Sequence, residues 1–155
     1  MNKEEYIKLL NLSPHQEGGY FIQTYLSDDK IGGSSLFSSI IFMLCENEVS
    51  HFHRLQEDEL WYYHDGESLD VVEINPEGKL VITTLGKNID KGEKLQYLVK
   101  KGTIFGSIMK NPGFSLVGCM VSPSFDYNHF ELFTNKEELI KEYPEYIDVI
   151  NILGK

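Results

Sequence analysis

The chain predicts an all-β fold, an antiparallel sandwich or barrel with short helices at its two ends. Three observations lead there. From Tyr20 to about residue 133 the sequence consists of short apolar or alternating runs, turn residues separate them, and no helical stretch lies between them. A parallel α/β sheet would need crossover helices where this chain has only turns.

The elements follow in order. Asn2-Lys3-Glu4-Glu5, then Tyr6, Ile7, Leu9 and Leu10, reads as a short helix with a capping residue and acids in its first turn, ended by Ser13-Pro14. The expected strands are Tyr20–Leu26, Leu36–Leu44, a histidine-bearing strand around residues 51–53, Glu59–His64, Asp70–Ile74, Lys79–Thr84, Gln96–Val99, Thr103–Met109 and Phe114–Val121, with a short one near Phe130–Phe133. Gly32-Gly33, Asp65-Gly66, Pro76-Glu77-Gly78, Lys91-Gly92 and Asn111-Pro112-Gly113 punctuate them. At the C-terminus, Thr134-Asn135-Lys136-Glu137 has capping-box spacing ahead of an apolar stripe at Leu139, Ile140, Tyr143, Ile147 and Ile150. Pro144 is expected to divide this stretch into two short helices.

Residues 1–155 read as one domain, with no linker, repeat or low-complexity segment. Hydrophobic residues make up 41% and charged residues 25%, a globular composition. The net charge of −10 argues against a nucleic-acid partner and against an anionic membrane surface. No apolar run is long enough to cross a bilayer, and acids stand where a signal peptide would be basic. Cys45 and Cys119, each in an apolar stretch, read as reduced buried thiols, so a cytoplasmic location is expected.

The chemistry concentrates in Ser50-His51-Phe52-His53-Arg54-Leu55-Gln56-Glu57-Asp58-Glu59-Leu60-Trp61-Tyr62-Tyr63-His64-Asp65-Gly66. On a regular strand, residues two apart share a face, so His51 and His53 can present both imidazoles to one cavity, with Glu59, Trp61 and Tyr63 joining from the next strand. Two imidazoles and a carboxylate suit one divalent metal such as Zn, Fe, Mn or Ni, which makes His51, His53 and Glu59 the candidate metal ligands. Without a metal, the same groups suit proton transfer: His53 as general base, with Glu59 or a tyrosine such as Tyr63 as proton donor. Tyr20, Trp61, Tyr63 and Phe105 are expected as pocket walls, and Glu17 in His15-Gln16-Glu17-Gly18-Gly19 as a residue of the pocket mouth.

His51-x-His53, then Glu59, then six residues to Gly66, resembles the first cupin motif. The gap between the second histidine and the glutamate is five residues here, one or two more than usual; Glu57 would satisfy the usual gap, whereas Glu59 keeps the proper distance to the glycine. More widely, His15-Gln16-Glu17-Gly18-Gly19-Tyr20, Ser39-Ile40-Ile41-Phe42-Met43-Leu44, Asp58-Glu59-Leu60-Trp61, Leu116-Val117-Gly118-Cys119 and Val121-Ser122-Pro123-Ser124-Phe125-Asp126 stand in the order seen in a small cupin family numbered 5, long described as a domain of unknown function. The resemblance implies a double-stranded β-helix, or jelly roll, and a homodimer. Aligned on Gly102, the histidine of the second cupin motif falls on Phe105, so any metal site would keep three protein ligands. Ile22-Gln23 also stands where a charged pair is usual.

Two functions of different class fit these residues. One is an enzyme, isomerase- or epimerase-like or metal-dependent, acting on a small polar metabolite such as a sugar derivative or a carboxylic acid. The other is a non-catalytic module that binds or senses such a metabolite.

Overall fold

The computed structural model describes residues 1–155. The elements are α1 (Lys3–Leu10), β1 (Ser13–Pro14), β2 (Tyr20–Leu26), β3 (Lys30–Ile31), β4 (Ser34–Ser35), β5 (Ser38–Cys45), β6 (Val49–Leu55), β7 (Asp58–Gly66), β8 (Leu69–Ile74), β9 (Leu80–Leu85), β10 (Gln96–Val99), β11 (Ile104–Met109), β12 (Phe114–Ser122), β13 (Phe130–Leu132), α2 (Lys136–Glu142) and α3 (Ile147–Leu153). The sequence places β2 and β10 correctly, and the other expected strands shift by one or two residues at their ends.

The strands form two antiparallel sheets, in the orders β1-β2-β5-β12-β7-β10 and β13-β6-β11-β8-β9. The non-sequential orders are those of a jelly roll, with β5, β12 and β7 side by side in one sheet and β6, β11 and β8 in the other. Between the sheets lies the main core, anchored by Phe42, Trp61, Val71, Leu85, Phe105 and Val117. Sheet-on-sheet burial alone would leave each sheet's outer face polar. Here both outer faces are partly covered. On the five-stranded sheet, Phe52, Val72 and Ile74 pack against Leu139 of α2 and Ile150 and Leu153 of α3. On the six-stranded sheet, Met43, Cys45 and Leu116 meet Tyr6, Ile7 and Leu10 of the α1 region. This double coverage explains why β5 and β12 read as nearly continuous apolar runs rather than clean alternations.

The helix ends follow local chemistry. The Asn2 side chain accepts from the Glu5 N–H at 2.9 Å, and the Glu5 carboxylate accepts from the Asn2 N–H at 2.9 Å, a complete capping box. At α2 the cap is Asn135, accepting from the Glu138 N–H, one residue beyond the Thr134 cap that the sequence suggested. Pro144 opens a single 3-10 turn and separates α2 from α3 as expected. No helix is long and apolar enough to cross a membrane.

One irregularity positions the site. Between β11 and β6, Phe105 is opposite His53, but Ser107 is opposite Ser50. Two steps on β11 match three on β6, so β6 carries a bulge across His51 and Phe52. Gly106 stands against it: a Cβ there would lie 2.5 Å from the Ser50 carbonyl oxygen, so the close approach needs glycine.

Candidate functional site

His53 and Leu55 of β6, Glu59 of β7, Phe21 and Gln23 of β2, and Cys119 of β12 open onto one cavity of about 160 Å³ between the sheets. The loop between β1 and β2 closes one side with His15 and Glu17. That loop is pressed onto the barrel. Its Gly18 has φ +110°, and a Cβ there would lie 2.0 Å from the Val49 carbonyl oxygen. Phe125, Tyr127 and Phe130, on the segment that follows β12, complete the rim.

At the floor, His53 and Glu17 make a buried pair, with His53 Nε2 3.0 Å from the Glu17 carboxylate. His53 Nδ1 donates to the His51 carbonyl at 2.7 Å, which requires a proton on that nitrogen. Burial opposes charge on His53, but the adjacent Glu17 carboxylate and its hydrogen bond outweigh that, raising the imidazole above its ordinary value; Glu59 and the His51 carbonyl act in the same direction. Burial likewise opposes charge on Glu17, and the His53 charge and hydrogen bond outweigh it, holding the carboxyl below the usual range. Both shifts favour imidazolium beside carboxylate.

His15 differs. Its Nδ1 accepts the Glu17 backbone N–H at 3.2 Å, and burial pushes its imidazole down, so it is a neutral ring with its proton on Nε2. Glu59 is the group left over. It is only 7% exposed, and its Oε2 has no hydrogen-bond partner. Burial raises its carboxyl to about 7, against the pull of His53 and with the push of Glu17. The Cys119 thiol is pushed well above its ordinary value by burial and by Glu59 and Glu17, so it is held as an unreactive thiol.

Residues 4–133 match the family described as Cupin superfamily (DUF985). The chain belongs to that family. A solved protein from Shewanella oneidensis is 47% identical, with a TM-score of 0.96 over 100% of this chain and 98% of its own. A hypothetical protein from Leishmania major is 35% identical, with a TM-score of 0.92 over 99% of each chain. Oxalate decarboxylase from Bacillus subtilis shares the fold, at 18% identity and a TM-score of 0.60, over 90% of this chain and 36% of that one. No curated protein matches the chain.

Of the cupin-motif residues, His53 and Glu59 line the pocket and His51 does not. The bulge in β6 breaks the two-residue period, and the His51 Nδ1 instead donates to the Glu17 carbonyl at 2.9 Å. Glu57, the competing acid, pairs with His129 outside the cavity. No group of three or more His, Cys, Asp or Glu side chains is arranged to hold a metal ion. With Phe105 at the second-motif position and His51 committed to a backbone carbonyl, these donors do not fit the expected metal site of His51, His53 and Glu59.

Glu17 lines the pocket, buried against His53 rather than at the mouth, and the aromatic walls are displaced. Tyr20 points to the other face of β2 and packs in the cluster under α1, while its neighbours Phe21 and Gln23 face the cavity. Trp61 and Phe105 face inward but lie in the core beneath the pocket, Phe105 with its ring centroid 4.1 Å from that of His53. Tyr63 also faces inward, two further positions along β7, and its hydroxyl donates to the Gly66 carbonyl at 2.6 Å. Parity sets the face of the sheet, whereas depth along the strand, about 7 Å per two residues, decides which side chain reaches the cavity. The rim residues Phe125, Tyr127 and Phe130 escaped the sequence reading. Their only trace was the aromatic content of Phe125-Asp126-Tyr127 just after the last long strand.

Proposed function

We propose that this cupin binds a small molecule in the cavity above His53 and catalyses proton transfer on it, as in an isomerisation. The observation that carries this reading is the division of two acids in one pocket: Glu17 stays ionised beside His53, while Glu59 is raised to about 7 with a free oxygen. Two carboxyl groups whose environments push them apart are the usual basis for an acid and a base in one site. A group that titrates near the working pH transfers protons most effectively. Glu59 carboxylate then takes a proton from the substrate. The Glu17–His53 pair, which already holds one, returns a proton at the neighbouring position, and no electrons are exchanged. This reverses the roles assigned from the sequence, where His53 was the base and Glu59 or Tyr63 the donor. Tyr63 is spoken for by Gly66.

The predominantly apolar lining, eight of fourteen residues, favours a second reading as a binding module without turnover. Hydrogen exchange separates the two. Hydroxyacetone, dihydroxyacetone and aminoacetone incubated with the protein in D2O are expected to take up deuterium at carbon, and Glu59→Gln to abolish the uptake. Binding with no deuterium uptake by any of the three removes the catalytic reading and leaves the binding one.

The same proposal includes a homodimer. Ile82 on the edge strand β9 and Leu98 on the edge strand β10 are exposed apolar side chains on open sheet edges, which pairing of copies would cover. Sedimentation should give twice the chain mass of 17.8 kDa; a monomer at micromolar concentration rejects it.

A further inference from the structure

We propose that the ligand of this pocket is a small organic ammonium, its N–H against the Glu59 carboxylate and its alkyl part among the rings of Phe21, Phe125, Tyr127 and Phe130. The inference rests on the cavity being a ligand site, and it gives the chemical class of that ligand.

The charge balance comes first. No lysine or arginine lines the cavity. The cation next to it in sequence, Arg54, faces the other way, with its guanidinium on Glu131 at 2.6 and 3.1 Å. His15 is a neutral ring, and the Glu17–His53 pair is neutral as a unit. Glu17 and Glu59 share the single His53 imidazolium, so the pocket carries one negative charge in excess when Glu59 is ionised. An incoming carboxylate or phosphate would add to that excess, so the carboxylic acids expected from sequence are disfavoured. An ammonium supplies the missing counter-charge.

Hydrogen bonding points the same way. Glu59 lines the cavity, and its buried Oε2 and the buried Trp61 Nε1 both lack a hydrogen-bond partner. A carboxylate so poorly supplied with donors gains from a ligand N–H.

The walls are the third element. Phe125 and Tyr127 have ring centroids 4.8 Å apart at 86°, and Phe130 lies 5.7 Å from the first and 6.1 Å from the second, at 61° and 79°. Three rings at steep mutual angles make a corner, and Phe21 faces it beside His15 at 4.5 Å. Rings so arranged present apolar surface to the alkyl chain of an ammonium. A polyol would find few partners here, since beyond the histidines and acids only Gln23, Ser38, Tyr127 and the weakly polar Cys119 thiol among the lining side chains carry polar groups. In size, about 160 Å³ is close to the cavity of roughly 150 Å³ that accepts benzene. The ligand is then about six to eight heavy atoms.

Three probes with one carbon skeleton test the class: 3-methylbutylamine, 3-methylbutan-1-ol and 3-methylbutanoate, measured against the whole protein by titration calorimetry and ligand-observed NMR at about pH 8, where the amine stays protonated. The amine is expected to bind at least about tenfold tighter than the alcohol, with the carboxylate weakest. Glu59→Gln should erase the preference, and Phe130→Leu should weaken the amine and the alcohol alike. The proposal is overturned if the alcohol or the carboxylate binds as tightly as the amine, if the amine does not bind, or if the preference survives Glu59→Gln. If the alcohol wins while Glu59→Gln still abolishes deuterium uptake, the ligand class is wrong and the catalytic site stands. If the amine binds as expected and nothing exchanges hydrogen, the class stands and catalysis falls.

Discussion

His53 Nε2 stands 3.0 Å from the Glu17 carboxylate, one side chain from β6 and the other from the loop before β2. Each holds the other in its charged form against burial. The pair is therefore a fastening between loop and sheet and, in the proposed reaction, the proton donor.

Glu17→Gln tests the fastening. It leaves His53 buried without its counter-charge, and breaking one side of a buried ion pair costs about 3 kcal/mol or more. Urea unfolding should show that loss. NMR titration should show the His53 imidazole falling, because burial is then opposed only by Glu59 and the His51 carbonyl.

Glu59→Gln tests the unpartnered acid through pH. In the folded protein Glu59 ionises near 7, against 4.5 for an ordinary glutamate. Folding therefore favours its protonated form. That contribution is fully present below pH 4.5 and is lost as the pH rises to about 7. Above pH 7 the wild type carries a penalty of about 3 kcal/mol that the glutamine variant does not. Denaturation at pH 5 and pH 8 should show Glu59→Gln gaining relative to wild type at the higher pH. An equal difference at both values counts against a raised Glu59.

Gly106→Ala tests the bulge. Its Cβ would meet the Ser50 carbonyl oxygen at 2.5 Å, where neither backbone can easily give way. A loss of about 2 kcal/mol or more is expected, with disturbed His53 resonances. Substitution of Gly33, whose Cβ would meet nothing within 4 Å, incurs only the strain of φ +83° and should leave His53 untouched.

Ile150→Ala separates stability from the site. Ile150 is fully buried under the five-stranded sheet, on the face away from the cavity. Truncation should cost about 2–5 kcal/mol in thermal or chemical unfolding. Binding of the probes to the folded fraction should not change.

Much of this was legible in the sequence, and the failures share a cause. Turn spacing revealed the strands because Gly and Pro mark the chain locally. His53, Glu59 and Glu17 were legible because a short motif and a glycine-held loop carry them. His51 was misplaced because a bulge leaves no mark in composition, and regular strand parity was assumed across it. Phe21 rather than Tyr20 faces the cavity: α1 covers the outer face of β2, so both faces are apolar and the phase of the alternation is ambiguous. Trp61 and Tyr63 were given the right face and the wrong depth. Phe125, Tyr127 and Phe130 arrive from a segment without period, and only the closed fold brings them over Glu59.

His51 holds a consequence for how a ligand arrives. The Glu17 carbonyl accepts twice from it, from the backbone N–H at 2.6 Å and from Nδ1 at 2.9 Å. This rivet adds to the Glu17–His53 pair, so the acidic wall of the cavity is set before any ligand enters. Capture then needs no rearrangement of that wall, and its ordering entropy is already spent in folding. Binding should follow a single exponential whose rate rises linearly with ligand concentration, with differences between ligands residing in escape rather than entry. His51→Ala would loosen the rivet and introduce a slower, concentration-independent phase, which stopped-flow fluorescence of Trp61 beneath the pocket can register.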